Sequence, residues 1–201
     1  MKVLYTIGHS THPVERFAEL LEACGVTAVG DVRSSPYSRF NPQYNREPLQ
    51  RALKGRGMAY VFLGRELGPR SDDPACYVDG KVRYDRLART ELFAQGLRRL
   101  RKGMESHRIA LLCAEKDPIV CHRMILVCRA LRKDPVSVEH ILEDGSLESL
   151  ARSEQRLLQS LKMPQLTLFD DPETLVQRAY DVQGEKIAYV RRDDNEEGEE
   201  V

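Results

Sequence analysis

Short apolar runs rich in β-branched residues alternate along the chain with longer stretches in which apolar side chains recur every three or four positions, the two periods of strands and helices. Residues 2–7 read as a strand, closed by Gly8-His9-Ser10-Thr11, which suit a tight turn and a helix start. Pro13 fits a first helical turn; Val14, Phe17, Leu20, Leu21 and Cys24 follow at helical spacing, and Gly25 is a natural stop. Residues 26–32 make the next strand, broken by Ser34-Ser35-Pro36. This β-α-β opening implies parallel strands joined by a right-handed crossover.

Farther on, residues 49–57 read as a short helix and 58–63 as a strand, while 70–83 show no pattern and are expected to form a long loop. Leu87, Phe93, Leu97 and Leu100 give a helix over 84–102, ended by Gly103. The apolar run 109–112 is a strand that ends in Cys113-Ala114-Glu115; after a Pro-containing loop, Cys121-His122-Arg123 open a second helix. Residues 136–141 are a further strand, 146–163 and 173–181 are helical, and 186–190 are extended. The expected fold is α/β: a single, mainly parallel sheet of about five strands flanked by helices, with a C-terminal helical and extended appendage. The boundaries are 1–145 for the α/β domain, 146–192 for the extension and 193–201 for an acidic tail too poor in apolar residues to pack.

Composition narrows the possibilities. A chain of 201 residues, 41% hydrophobic and 31% charged, can bury one sizeable core. Its formal net charge of zero conceals an acidic tail behind a body rich in Arg and Lys, which suits phosphate-bearing partners, although a solvated charged surface explains it as well. No apolar run is long enough for a membrane span, and a cytoplasmic protein is expected. Five cysteines, an odd number placed on apparent interior elements, point away from a disulfide framework toward free thiols or metal ligands. Nothing in this pattern specifies a cofactor or an oligomeric state.

In a parallel sheet, several strand ends converge on the crevice where ligands bind. His9 and Ser10 end one strand, Asp31 and Arg33 another, Cys113 and Glu115 a third, with Cys121, His122 and Arg123 at the mouth of the following helix. Glu115, Cys121, His122, Cys113 and His9 are the candidate catalytic residues. Glu115 suits general acid or base work, against the alternative of a salt bridge to Arg33 or Arg123. A helix start beside His122 and Arg123 is expected to lower the Cys121 pKa. Ser10, Asp31, Arg33, Arg39, Phe40 and Arg123 are the candidate substrate- and phosphate-binding residues. The loop carrying Tyr37, Arg39, Phe40, Tyr44 and Arg46 interleaves rings with guanidinium groups, as a base-stacking or phosphate-gripping surface requires; the alternative is a loop folded onto the surface by its own aromatics. Zinc on Cys113, Cys121 and His122, with His9 or Cys76, is a competing reading; the gap between the two cysteines lacks the close pairing of structural zinc modules, and no metal ligand is assigned.

The set Thr6-Ile7-Gly8-His9-Ser10, Asp31-Val32-Arg33-Ser34-Ser35-Pro36, Leu112-Cys113-Ala114-Glu115, Cys121-His122-Arg123 and His140-Ile141 resembles the bacterial domain-of-unknown-function family 488. The resemblance implies a compact α/β domain with these motifs at one site and supplies no substrate. A second segment, Gln165-Leu166-Thr167-Leu168-Phe169, resembles the peptide by which bacterial polymerases and repair proteins dock onto the sliding clamp. It implies partner-binding roles for Gln165, Leu166, Leu168 and Phe169; the alternative is that the apolar side chains fold back onto the domain.

Three functional readings stand. The leading one is an enzyme acting on DNA or a nucleotide-like, phosphate-bearing substrate in repair or replication. The others are a non-catalytic nucleic-acid or clamp-associated module, and a zinc- or thiol-dependent small-molecule enzyme.

Overall fold

The computed structural model describes residues 2–163 and 171–191. Six strands form one sheet in the order β3-β2-β6-β1-β7-β8. They are β1 (Lys2–Gly8), β2 (Ala28–Asp31), β3 (Ala59–Phe62), β6 (Ile109–Cys113), β7 (Val136–Ile141) and β8 (Leu147–Ser149). A separate hairpin pairs β4 (Tyr77–Val78) with β5 (Lys81–Val82). All pairings in the large sheet are parallel except that of β8 with β7. The fold is thus the expected mainly parallel α/β sheet, with one strand more than expected.

Both faces are covered. α1 (Val14–Ala23) and α2 (Arg46–Gly55) pack Phe17, Leu21, Leu49 and Leu53 against Ile7, Val29, Ala110 and Leu112 on one side. On the other, α5 (Glu91–Gly103), α7 (Leu150–Ser160) and α8 (Pro172–Ile187) cover Leu4, Leu111, Cys113 and Val138, together with the segment after β6. Burial on both faces explains why β6, Ile-Ala-Leu-Leu-Cys, reads as a continuous apolar run: every residue in it is buried. Two short helices, α3 (Gly64–Leu67) and α4 (Tyr84–Leu87), and a turn of α6 (Arg129–Leu131) complete the chain.

Strand order places the site. From β1 the chain crosses past β6 to β2, whereas from β6 it crosses past β1 to β7. Two adjacent strands therefore send their connections in opposite directions, which opens a crevice at their C-terminal ends. The β1–β6 ladder continues beyond the strands through His9 N to Cys113 O and Ser10 N to Ala114 O, both 2.9 Å. Gly8 permits this approach, since a Cβ there would lie 1.8 Å from the Glu115 carbonyl oxygen.

Several elements depart from the sequence pattern for identifiable reasons. The helix expected over 84–102 is two, because Thr90 caps the second: its Oγ1 accepts from Phe93 N at 3.1 Å. Residues 70–83 are not wholly irregular, since Asp79 and Gly80 adopt positive φ (49° and 73°) and turn the β4–β5 hairpin. Helical periodicity from 146 concealed β8, which Gly145 (φ 91°) turns back onto β7 before Ser149 caps α7. The helix expected over 173–181 runs to Ile187, and beyond it Val190 makes only an isolated bridge with Lys81. The C-terminal helices pack onto the sheet, for Leu157, Ala179 and Tyr180 sit fully buried in the main core. No described helix is long and apolar enough to cross a membrane. The acidic tail 193–201 and the segment 165–169 lie outside the described residues.

Candidate functional site

Cys113 ends β6 with its side chain on the same face as Ile109 and Leu111, toward the segment that returns from the loop. In that loop Asp117 caps a single turn, Pro118–Val120, by accepting from Ile119 N at 3.1 Å. Residues Arg123–Cys128 then wind as a π-helix before tightening into α6. Wider helical turns of this kind recur at functional sites. Here the turn begins beside the Cys121 thiol, whose sulfur receives the Arg123 amide at 3.4 Å.

Glu115 bridges the two cysteines. Its Oε2 accepts from Cys113 Sγ at 2.9 Å and from Cys121 Sγ at 3.0 Å. His122 presents Nδ1 to the same sulfurs at 3.5 and 4.0 Å. Its Nε2 lies 3.0 Å from the Val32 carbonyl oxygen, so Nε2 is the donor and Nδ1 keeps its lone pair facing the thiols. Cys113, Cys121 and His122 are buried, whereas Glu115 is exposed at the mouth. Although burial of the carboxyl end opposes ionisation, the two thiol donors, a backbone hydrogen bond and nearby His122 hold the Glu115 pKa below the ordinary carboxylate value. Cys121 departs from the sequence expectation: burial and neighbouring Cys113 push its pKa well up, outweighing Arg123 and His122.

The β1 and β2 ends form the adjoining half. Asp31 accepts from Arg33 Nε at 2.9 Å and Nη2 at 2.6 Å, and from the Tyr60 hydroxyl at 2.8 Å. Arg33 also donates to the Tyr44 carbonyl at 2.9 Å and reaches His9 Nε2 at 3.4 Å. His9 Nδ1 donates to the Ser10 carbonyl at 2.8 Å, which leaves Nε2 as the acceptor. The His9 ring stacks on Tyr44 with centroids 4.1 Å apart. Burial, only partly opposed by the Ser10 hydrogen bond, lowers its pKa to about 4. His9, Arg33, Glu115 and His122 are thus carried to neighbouring strand ends, as the topology requires.

Three expected phosphate ligands have other work. Arg123 is completely buried: Nε donates to Thr6 Oγ1 at 3.3 Å, Nη2 to the Lys116 carbonyl at 2.9 Å, and Nη1 to the Glu115 carbonyl. Arg33 and Asp31 are buried as a bidentate pair and offer no free charge to a phosphate. Arg39 and Phe40 are exposed, the guanidinium 4.8 Å from the ring centroid, and Ser10 is half-buried with φ 47°. Cys76 lies in the apolar core, and Cys128 is buried among π-helix neighbours.

Sequence reading missed Tyr60, whose hydroxyl completes the Asp31 shell, and gave no separate role to Thr6, which links Arg123 to His140 Nδ1 at 2.7 Å. A lone threonine inside the apolar run of β1 was the available signal for the second. Clefts lie elsewhere among the described residues: about 620 Å³ beside Lys2, Arg101 and Asp134, about 550 Å³ beside Tyr84, Arg89, Ile125 and Arg129, and about 510 Å³ beneath β2 and β3. None of them includes His9, Arg33, Glu115 or His122, so volume alone points away from the reactive groups.

Fold and site together define an open α/β protein with a thiol, carboxylate and imidazole cluster at the point where its crossovers diverge. The family model for the domain of unknown function DUF488 matches residues 13–130, and the chain belongs to that family. The match runs from the entrance of α1 through the π-helix and α6 to Ala130, covering Asp31, Arg33 and the whole Cys113–Arg123 constellation. No curated protein and no solved structure matches the chain.

Proposed function

We propose that the crevice is the active site of an enzyme acting on DNA or a nucleotide-like, phosphate-bearing substrate. The observation that carries this reading is Glu115: a carboxylate whose pKa is held low, set between two sulfurs, on an exposed residue at the C-terminal ends of the switch-point strands. Held ionised, Glu115 is the base that accepts a proton from the attacking group. Buried, neutral His9 lines the neighbouring strand end beside Arg33. The loop that supports His9 through Tyr44 also carries exposed Arg39 and Phe40, a cation and a ring suited to phosphate and base.

The test is a binding and turnover panel of nucleotides and single-stranded oligonucleotides. Arg39→Ala and Phe40→Ala are expected to weaken binding, with the arginine effect shrinking as salt rises; Glu115→Gln is expected to retain binding and lose turnover. Binding unaffected by both loop substitutions overturns the substrate class. Binding without turnover by the unaltered protein replaces the enzyme with a binding module.

Gln165-Leu166-Thr167-Leu168-Phe169 supports a link to the replication machinery under the same reading, because its resemblance is to clamp-docking peptides. Phe169→Ala is expected to abolish binding to purified sliding clamp, and an unchanged affinity discards the link.

A further inference from the structure

We infer that Cys113, Cys121, His122 and Glu115 bind a zinc ion. Their four donor atoms all lie within 4.8 Å of one another. Two sulfurs, an imidazole nitrogen and a carboxylate oxygen form a tetrahedral donor set, and soft thiolates with imidazole select zinc over magnesium or calcium. Zn–S and Zn–N bonds of about 2.3 and 2.05 Å put sulfur and nitrogen about 3.5 Å apart at a tetrahedral corner. The sulfurs stand 3.5 and 4.0 Å from His122 Nδ1, so this half of the cage needs little rearrangement. The carboxylate oxygen, at 2.9 and 3.0 Å from the sulfurs, sits about half an ångström inside a tetrahedral edge. It belongs to the one exposed residue of the set.

The surroundings have the form of a ligand-orienting shell. His122 gives its other ring N–H to the Val32 carbonyl, which fixes the tautomer that aims Nδ1 at the sulfurs. The Arg123 amide points at Cys121 Sγ, as a donor to a metal-bound thiolate does. Binding replaces the two thiol protons, which leave to solvent. Two thiolates and one carboxylate against a dication leave one negative charge, which the buried Arg123 guanidinium balances beside them. Cys113 and Cys121 are separated because they lie on opposite sides of a strand-to-helix loop, which is why their spacing lacks the signature of small zinc modules. With metal in place, Glu115 is the ligand at the mouth: water or a substrate oxygen can take its corner while the carboxylate remains alongside as base.

The inference goes beyond the proposed activity and is tested without turnover. Chelator-washed, reduced full-length protein is titrated with zinc against a chromophoric competitor, and with cobalt(II) as a spectroscopic substitute. One zinc per chain is expected, with cobalt giving thiolate charge-transfer absorption in the near ultraviolet and visible bands of tetrahedral intensity. Cys113→Ser and Cys121→Ser are expected to lose at least tenfold in affinity and most of the charge-transfer band. Cys128→Ser, a buried thiol outside the set, is expected to change neither. Glu115→Gln keeps the sulfur band and weakens binding. Circular dichroism of each variant separates loss of metal from loss of fold. Absence of stoichiometric zinc in the folded, unaltered protein, or a cobalt spectrum indifferent to folded Cys113→Ser and Cys121→Ser variants, overturns the site. Either result leaves the substrate panel above to stand or fall by itself.

Discussion

His122 Nε2 lies 3.0 Å from the Val32 carbonyl oxygen, and this bond ties the beginning of the π-helix to the end of β2. It joins residues ninety positions apart and orients the imidazole toward both sulfurs. Replacing His122 by Ala is expected to leave a buried carbonyl unpaired and lower unfolding free energy by about 1–3 kcal/mol. Urea denaturation with chelator present measures this without a metal contribution; an unchanged midpoint removes the bond from the structural account.

Gly8→Ala is expected to cost at least about 3 kcal/mol, because the new methyl meets rigid Glu115 backbone rather than a flexible side chain. Gly55→Ala is the contrasting substitution. Nothing lies within 4 Å of a Cβ at the end of α2, and a stabilisation of about 0.5–1 kcal/mol is expected. Equal effects at the two positions contradict the close approach of β1 to the Glu115 loop.

Arg33→Met strands the buried Asp31 carboxylate and is expected to destabilise by about 3–5 kcal/mol. Removing both charges in an Asp31→Leu, Arg33→Met double variant is expected to cost clearly less than the sum of the single losses. A double-mutant cycle read by denaturant unfolding decides it, and additive losses reject the pairing.

Acid sensitivity follows from two enclosed imidazoles. Burial lowers the folded pKa of His9 to about 4 and of His140 to about 3, from an ordinary 6.5. Below pH 6.5 the unfolded chain takes up protons that the native one refuses, so stability declines as pH falls toward 4. Each imidazole contributes a slope of up to about 1.4 kcal/mol per pH unit in that window and nothing well above it. Denaturation midpoints between pH 7 and 5 are expected to fall, and His140→Asn to flatten the fall.

The alternation of periods was enough to place β1, α1, β2, β6 and β7, and hence to bring His9, Arg33, Glu115 and His122 to one rim. Local signals set the errors. An interior cap at Thr90 divided a continuous helical stripe, and Asp79-Gly80 turned a hairpin inside an apparent loop. Arginine roles were less legible, because sequence shows that a guanidinium is present but not whether its donors already have acceptors. Arg39 stayed at the surface while Arg33 and Arg123 were enclosed. The same blindness reversed the expected Cys121 acidity: a helix start with His122 and Arg123 beside it is visible in the chain, and the desolvation that outweighs them is not.

The enclosure of Arg123 also decides how the rim responds to its medium. Mobile ions weaken attractions between charges that water reaches, such as the surface pair Arg16 and Glu19. They have no path to a guanidinium clasping two main-chain oxygens inside the protein. The outer coat of charges can rearrange as electrolyte concentration changes, while the loop that carries Glu115 keeps its anchorage.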